Sequence, residues 1–271
     1  MNIEILEASL QQAALKVYRA NRHIREAQHH VAQHSKRDFY KIIKEGSAYS
    51  ADQRFIAVAE SIPLDVPLAI GDTFHCLSTA LDYIATGLVE SVQGDTTRIS
   101  FPSHNTRDAL RQSFKAPRNG ASPPNRRIVE ALPRFAYLLL ARIRPYAGGG
   151  MNAWEVRKAD NIDKHNIVMP TITITHISDV KMVDNRGGSS FHFGSVTVGD
   201  SGEMHLIDVG RGSGEVNVLD YGRATFEVRF PVGLEVFGGE PVFPTLTHCA
   251  ESIQQVIELV GVSYDTPTFR Y

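Results

Sequence analysis

The strongest constraint on the fold lies in the first 31 residues, where a hydrophobic side chain recurs at every seventh position. The recurring residues are Ile3, Leu10, Val17, Ile24 and Val31. The other seam positions are Leu6, Ala13, Ala20 and Ala27. This heptad repeat predicts one helix, about 45 to 50 Å long, whose seam packs against a partner helix. The partner can be internal, as is usual for a repeat within one chain, or a second subunit, which would give a homo-oligomer through the five heptad residues.

The remaining periodicity divides the chain into a helical front and a strand-rich back. Apolar spacings of three and four residues predict helices at about 68–90, 106–114, 125–144, 152–164 and 245–260, with a kink at Pro133. Extended patterns predict a hairpin near 38–62 and strands at about 172–177, 180–183, 191–198, 204–209, 216–219 and 225–230. The predicted fold class is therefore α+β, with long N-terminal helices forming a helical bundle and a C-terminal antiparallel β-meander covered by a terminal helix.

The early hairpin bears on the number of domains. Its apolar face has no obvious cover except the later sheet, because an isolated two-stranded hairpin is at best marginally stable in water. We therefore expect one α+β domain over residues 1–271, with a helical portion of about 1–165 and a β-rich portion of about 166–271.

Composition excludes several classes of protein. Hydrophobic residues make up 42% of the chain and charged residues 21%, which excludes wholesale disorder and fibrous proteins. The start carries Glu4 and Glu7 instead of the basic, then apolar, pattern of a signal peptide, and the longest apolar run, 128–143, is too charged to span a bilayer. We expect a cytoplasmic protein without a membrane segment, in which Cys76 and Cys249 are buried thiols.

Charge is distributed unevenly, although the net charge is only −2. Residues 1–145 carry 19 Lys and Arg against 14 Asp and Glu, whereas residues 146–271 carry 9 against 16. Ten of the bases, but only two acids, lie between Arg98 and Arg144, which predicts a surface for nucleic acid or another anionic partner. The residues expected to contact the partner are Arg107, Arg111, Lys115, Arg118, Arg126 and Arg127. Alternatively, the acidic C-terminal half neutralises these bases within the chain.

The densest group of reactive side chains ends the helix predicted at 152–164. Two carboxylates, an amine and an imidazole occur within six residues, at Asp160, Asp163, Lys164 and His165. Such a set can perform general acid and base catalysis, or bind phosphate or a metal ion. The same residue types also cap a helix C-terminus, where Lys and His meet the negative end of the helix dipole. Both interpretations stay open, and the pattern specifies neither a metal nor a cofactor.

Two segments resemble a family of uncharacterised bacterial proteins. Residues 71–83, GDTFHCLSTALDY, are similar to a family segment that reads GD, two residues, H, then LRxALDH. Residues 161–165, NIDKH, resemble the NxDKHR motif that follows in the same proteins. Two motifs in the same order before a β-rich tail extend the resemblance over most of the chain. It implies no established activity.

The family form of the first segment, an Arg and then, after four residues, a His, also resembles HEPN ribonucleases and their binding-only relatives. In this sequence Ser78 and Tyr83 occupy the two positions, so the catalytic pair of those nucleases is absent there. Arg25 and His30 reproduce the spacing on the first helix. The resemblance therefore implies a HEPN-like helical architecture more than nuclease activity at this segment.

Three hypotheses about function follow from these patterns. We favour a non-catalytic binding or effector protein that uses its Arg-rich helical surface, because charge segregation is the plainest signal in the sequence. One alternative is a hydrolase-type enzyme, with or without a metal ion, whose site surrounds Asp160, Asp163, Lys164 and His165. The other is a structural homodimer held together by the first helix.

Overall fold

The computed structural model describes residues 1–36, 39–46, 52–115, 123–184, 190–193, 196–197, 203–210 and 215–265. The helices are α1 (Ile3–His34), α2 (Asp65–Glu90), α3 (Arg107–Ser113), α4 (Pro124–Ala131), α5 (Pro133–Tyr137), α6 (Ala153–His165) and α7 (Val242–Asp265), and a π-helical segment (Leu138–Ile143) follows α5. The strands are β1 (Tyr40–Glu45), β2 (Asp52–Ala59), β3 (Thr171–Ser178), β4 (Val180–Asp184), β5 (Ser190–Phe193), β6 (Val196–Thr197), β7 (Glu203–Gly210), β8 (Val216–Asp220) and β9 (Arg223–Arg229). The predicted α+β class is confirmed.

The chain divides into two compact units. The helical unit comprises Met1–Ala27, Pro67–Val168 and Phe243–Tyr271. The β-rich unit comprises Gln28–Val66 and Met169–Val242. The expectation that both belong to a single folding domain stays a prediction.

The heptad seam of α1 is covered from within the chain. Leu10, Val17 and Ile24 are buried, together with the small residues between them, whereas Ile3 at the start of the helix is half exposed. Helix α1 packs closely on its neighbours. At Gly87 of α2, an added Cβ would lie only 2.3 Å from the Cβ of Ser9 in α1, so only glycine fits there. Near the same end of α1, the hydroxyl of Tyr264 in α7 donates to Glu7, 3.2 Å away. An internal partner is therefore observed for Leu10, Val17 and Ile24. A homo-oligomer through the heptad residues stays a prediction.

Pro133 divides the helix predicted at 125–144 into separate pieces. Leu132, directly before it, has extended backbone angles of φ −137° and ψ 93°, and it ends α4. Proline restricts the preceding residue to this region and cannot donate the helical hydrogen bond. The predicted kink is thus a full break, after which the chain continues as α5 and the π-helical segment.

The described strands of the β-rich unit form three antiparallel sheets, with strand orders β1-β2-β7, β6-β3-β9 and β5-β4-β8. The early hairpin is confirmed, and β2 pairs with β7 as the burial argument required. Most neighbouring strands are not consecutive along the chain, so the connectivity differs from the expected meander. The terminal helix, expected to cover the sheet, is instead mostly part of the helical unit. The sequence also predicts a hairpin turn at Gly199, Asp200, Ser201 and Gly202 and a glycine-rich hairpin loop at 211–214, and both lie outside the described residues.

Two further expectations concern the thiols and the membrane. Cys76 and Cys249 are buried thiols, as predicted, and burial raises the pKa of the Cys76 thiol. Within the described part of the chain, no helix combines the length and apolar character that crossing a membrane requires.

Candidate functional site

Helices α2 and α6 bring the two sequence motifs face to face. Gly71, His75 and Asp82 on α2 lie against Asp163, Asp160 and Arg157 on α6, in that order. Residue numbers rise on one helix as they fall on the other, so the two helices run antiparallel. We call these six residues, together with Lys164, the polar ladder.

Asp160 forms the centre of the polar ladder. Its side chain is only 6% exposed, and Nδ1 of His75 lies 3.4 Å from its Oδ1. The ammonium of Lys164, one turn later on α6, donates to its Oδ2 at 2.8 Å. His75 and Lys164 are 57% and 55% exposed, so a buried carboxylate holds two cationic or polar groups at the surface. Such partners are required, because an unpaired buried carboxylate is strongly destabilising.

Asp163 closes the end of α6 against α2. Its Oδ1 accepts from the backbone N–H of Val168 at 3.2 Å, just beyond the helix terminus. A Cβ on Gly71 would lie 2.3 Å from its Oδ2, so only glycine leaves room for the carboxylate in this position. Burial raises the pKa of Asp163; the Val168 hydrogen bond opposes this, and the nearby Asp160 and Asp72 add to it. Asp163 therefore ties the segment that follows α6 to the last turn of that helix.

Asp82 and Arg157 form the far end of the polar ladder. The guanidinium of Arg157 donates to Oδ1 of Asp82 at 2.6 Å. The same oxygen accepts from the backbone N–H of Phe101 at 2.8 Å. Phe101 is buried and packs edge-on against Phe135, with ring centroids 6.0 Å apart. Through the hydrogen bond between Asp82 and the backbone of Phe101, this end of the ladder holds the segment that precedes α3 against α2.

Sequence analysis identified three members of this cluster and missed others. Asp160, Asp163 and Lys164 do come together, whereas His165 is exposed and has no described hydrogen bond or ion pair with them. His75 was missed because histidines are scattered through the sequence, although it stands inside the first motif. In the described ranges, no three His, Cys, Asp or Glu side chains are grouped so that they could hold a metal ion.

The bases of the predicted anionic surface fall into two groups. Arg126 pairs with Glu130 at 2.5 Å, and Arg127 pairs with Asp95 at 2.7 Å. By contrast, Arg107, Arg111 and Lys115 are exposed, and the described part of the structure gives their side chains no hydrogen bond or ion pair. We call these three residues the α3 basic face. Arg118 lies outside the described residues.

Helix α3 positions two of the bases of the α3 basic face. Residues four apart lie on the same side of a helix, so Arg107 and Arg111 share one side of α3, and Lys115 follows two residues after the helix ends. Thr106 caps the helix by accepting from the N–H of Ala109 at 3.1 Å, and Leu110 is fully buried beneath it.

A second set of contacts ties α3 to α4. The amide of Asn125 donates to the hydroxyl of Ser113 and lies 3.0 Å from Nε2 of His104. Burial lowers the pKa of His104. A neutral ring leaves this nitrogen free to accept from the Asn125 amide.

Arg25 and His30, which reproduce the HEPN-like spacing, both lie on α1. Arg25 is exposed, and Nδ1 of His30 lies 3.8 Å from Asp65. At the corresponding positions of the first motif, Ser78 is buried and Tyr83 lies beneath the Lys16 ammonium, 6.0 Å from the ring centroid.

Comparison with known proteins adds no relative. No family model matches the chain, and neither a curated protein nor a solved structure matches it.

Proposed function

We propose that this chain is a non-catalytic, cytoplasmic binding protein whose α3 basic face takes an anionic partner such as nucleic acid. The observation that carries the proposal is the group of three exposed bases, Arg107, Arg111 and Lys115, without ion-pair partners among the described residues. Such a group can contact successive phosphates of a nucleic-acid backbone, and neutralising them releases counterions.

Two of the predicted bases, Arg126 and Arg127, are excluded from the proposed binding surface because they pair with nearby acids. Arg126 and Arg127 are tied to Glu130 and Asp95, which belong to the same helical unit. Their charge is therefore balanced nearby and not by the acidic C-terminal half. Arg107 and Arg111 lie on α3, whose cap and buried Leu110 hold them in a fixed register. Arg98, Arg142 and Arg144 of the same basic stretch are also exposed and have no ion pair among the described residues.

The test is a titration of fluorescein-labelled single- and double-stranded RNA and DNA, read by fluorescence anisotropy at several salt concentrations. The variant replaces Arg107, Arg111 and Lys115 with Gln. We expect weaker binding, and a slope of log affinity against log salt that is smaller by about 2 to 3, since each phosphate contact contributes about 0.7 to 0.9.

The control removes the same charge elsewhere, by replacing the exposed Lys36, Lys181 and Arg223 of the β-rich unit with Gln. Its salt slope should stay that of the unchanged protein. An affinity that does not change with salt concentration would contradict the proposal. An equal loss of affinity in both triple variants would also contradict it.

A second candidate is a hydrolase-type enzyme built on the polar ladder, and the pairing of His75 with Asp160 favours it. An exposed imidazole whose Nδ1 faces a buried carboxylate is the arrangement that orients histidine for proton transfer. His75 would take the proton of a water attacking an ester carbonyl and return it to the departing oxygen.

Hydrolysis of p-nitrophenyl acetate and bis(p-nitrophenyl) phosphate tests this candidate. His75→Gln should abolish turnover and leave the protein folded, because the ammonium of Lys164 still donates to the buried Asp160 carboxylate. The control, His165→Gln, changes an exposed histidine at the end of α6, the helix that carries Asp160, and should leave turnover unchanged. Turnover that survives His75→Gln would exclude the role of this residue.

A further inference from the structure

The π-helical segment Leu138–Ile143 begins beside an exposed aromatic ring. Tyr137, the residue directly before the segment, is 67% exposed, whereas Leu138 and Leu139 are buried. A ring exposed to this extent takes little part in packing within the helical unit. Aromatic rings at a protein surface are the groups on which unpaired bases of nucleic acids stack, and π-helical turns occur frequently at functional sites. The segment is therefore a candidate for ligand contact beyond α3.

The geometry of the π-helical segment brings an arginine to the side of the ring. Its backbone hydrogen bonds join residues five apart, as from the N–H of Arg144 to the carbonyl of Leu139 at 3.0 Å. In an α-helix, residues five apart point about 140° away from each other, because each residue turns the helix by about 100°. In a π-helix they lie one turn apart on nearly the same side. Exposed Arg142, five residues after Tyr137, therefore lies on the side of the segment that carries the ring.

Backbone contacts join this segment to the chain that leads into α3. Helix α3 itself packs against the π-helical segment. The N–H of His104 donates to the carbonyl of Pro145 at 3.1 Å, and His104 also forms an isolated bridge with Tyr146. Arg144 directly precedes Pro145, and Arg107 follows His104 by three residues. The exposed arginines of the two segments therefore border one another on the helical unit.

The charge around Tyr137 is positive. Residues 131–154 contain three arginines and no Asp or Glu. Glu130, the acid that precedes this stretch, already forms an ion pair. Arg142 and Arg144 are exposed and have no ion pair among the described residues. The surface beside the ring therefore favours an anionic ligand over a cationic or purely apolar one.

We propose that the partner of the α3 basic face is single-stranded nucleic acid, one of whose bases stacks on the ring of Tyr137. Arg142 and Arg144 contact phosphates next to that base, and the α3 basic face contacts phosphates further along the strand. A duplex does not fit, because its bases are stacked on one another and cannot reach the ring. This inference rests on the binding function proposed for α3 and adds which form of nucleic acid is bound.

The test is fluorescence anisotropy on the full chain with four labelled probes: oligodeoxythymidine, oligouridine, the duplex of oligodeoxythymidine with its complement, and an abasic strand that has phosphates but no bases. Tyr137→Ala should weaken the binding of both single strands about 5- to 100-fold, because stacking on an aromatic ring contributes that much per base. Tyr137→Phe keeps the ring and should keep most of the affinity. The affinities for the duplex and the abasic strand should not change in either variant. The ratio of the affinities for the two single strands distinguishes DNA from RNA.

Further variants separate stacking from charge and from folding. Tyr18→Ala removes a ring that is 60% exposed on α1 and should leave every affinity unchanged. Arg142→Gln with Arg144→Gln should reduce the slope of log affinity against log salt on single strands by about 1 to 2, because two phosphate contacts are lost. Tyr137→Ala should leave that slope unchanged, and its melting temperature should stay that of the unchanged protein because the ring is exposed.

Three outcomes would overturn the inference. If Tyr137→Ala binds single strands as tightly as the unchanged protein, while the variant with Gln at all three positions of the α3 basic face binds them more weakly, the inference fails and the proposed function stands. If Tyr137→Ala weakens the binding of the duplex or the abasic strand equally, the ring does not stack on a base. If none of the probes binds at any salt concentration, the proposed function fails and the inference fails with it.

Discussion

Replacing Gly71 with Ala tests how α2 packs on α6. The added Cβ would lie 2.3 Å from Oδ2 of Asp163, and 2.8 Å and 2.9 Å from its Cγ and Oδ1. Contacts this short cannot persist, so the Asp163 carboxylate must move. Because its Oδ1 accepts from the N–H of Val168, moving it breaks the hydrogen bond that closes α6.

The expected free-energy change combines two opposing terms. A hydrogen bond to a charged group contributes about 1.5 to 3 kcal/mol. Ala in place of Gly inside a helix returns about 0.8 to 1.0 kcal/mol. We therefore expect Gly71→Ala to lower the free energy of unfolding by about 1 to 2 kcal/mol, or the melting temperature by about 2 to 4 °C per kcal/mol.

The effect of Gly71→Ala on the free energy of unfolding should change sign when Asp163 is absent. In an Asp163→Ala background the clash is gone and only the helix propensity remains, so Gly71→Ala should then stabilise by about 1 kcal/mol. Urea denaturation of the four proteins, followed by circular dichroism, gives this double-mutant cycle.

The result that would refute the reasoning is specific. If Gly71→Ala were neutral or stabilising in the unchanged protein, the carboxylate would not lie against the glycine. If it were equally destabilising in both backgrounds, the cost would come from something other than Asp163.

The remaining predictions concern the same helical unit. Gly87→Ala should destabilise more than Gly71→Ala, because its Cβ would meet the Cβ of Ser9, 2.3 Å away, which cannot rotate aside; urea denaturation measures the difference. The raised pKa of Asp163 means that the folded state binds its proton more tightly than the unfolded state, so stability is lost as pH rises from about 3.8 through the raised value. Asp163→Asn should remove this loss, so its stability relative to the unchanged protein should increase over that range. Asp82→Ala leaves the N–H of Phe101 without its acceptor and should cost about 1 to 3 kcal/mol. A melting temperature unchanged from the parent would refute this last expectation.

Local sequence patterns predict most helices and strands and, for each of them, which face is buried. They do not predict which other element covers that face. The heptad spacing predicts α1 and its buried face, because periodicity depends only on neighbouring residues. It cannot say which helix covers Leu10 and Val17, because that depends on contacts between segments far apart in the chain. The strand order has the same limit, since β2 pairs with β7 across more than a hundred residues.

The candidate site shows the same division. Asp160, Asp163 and Lys164 are close in sequence and could be grouped from it. His75 joins them across 85 positions, so no spacing rule connects it to Asp160. Arg107 and Arg127 are both arginines of one basic segment, so the sequence does not distinguish them. The structure does, because Arg127 pairs with Asp95 whereas Arg107 is exposed without an ion pair.

The polar ladder and the α3 basic face are structurally connected. Asp82 accepts from Arg157 of α6 and from the backbone of Phe101, six residues before α3 begins. At the other end of that helix, Asn125 of α4 holds Ser113. The contacts between α2 and α6 therefore help to fix where the bases of α3 stand. The motif residues can accordingly be necessary for binding through position alone, without touching the partner.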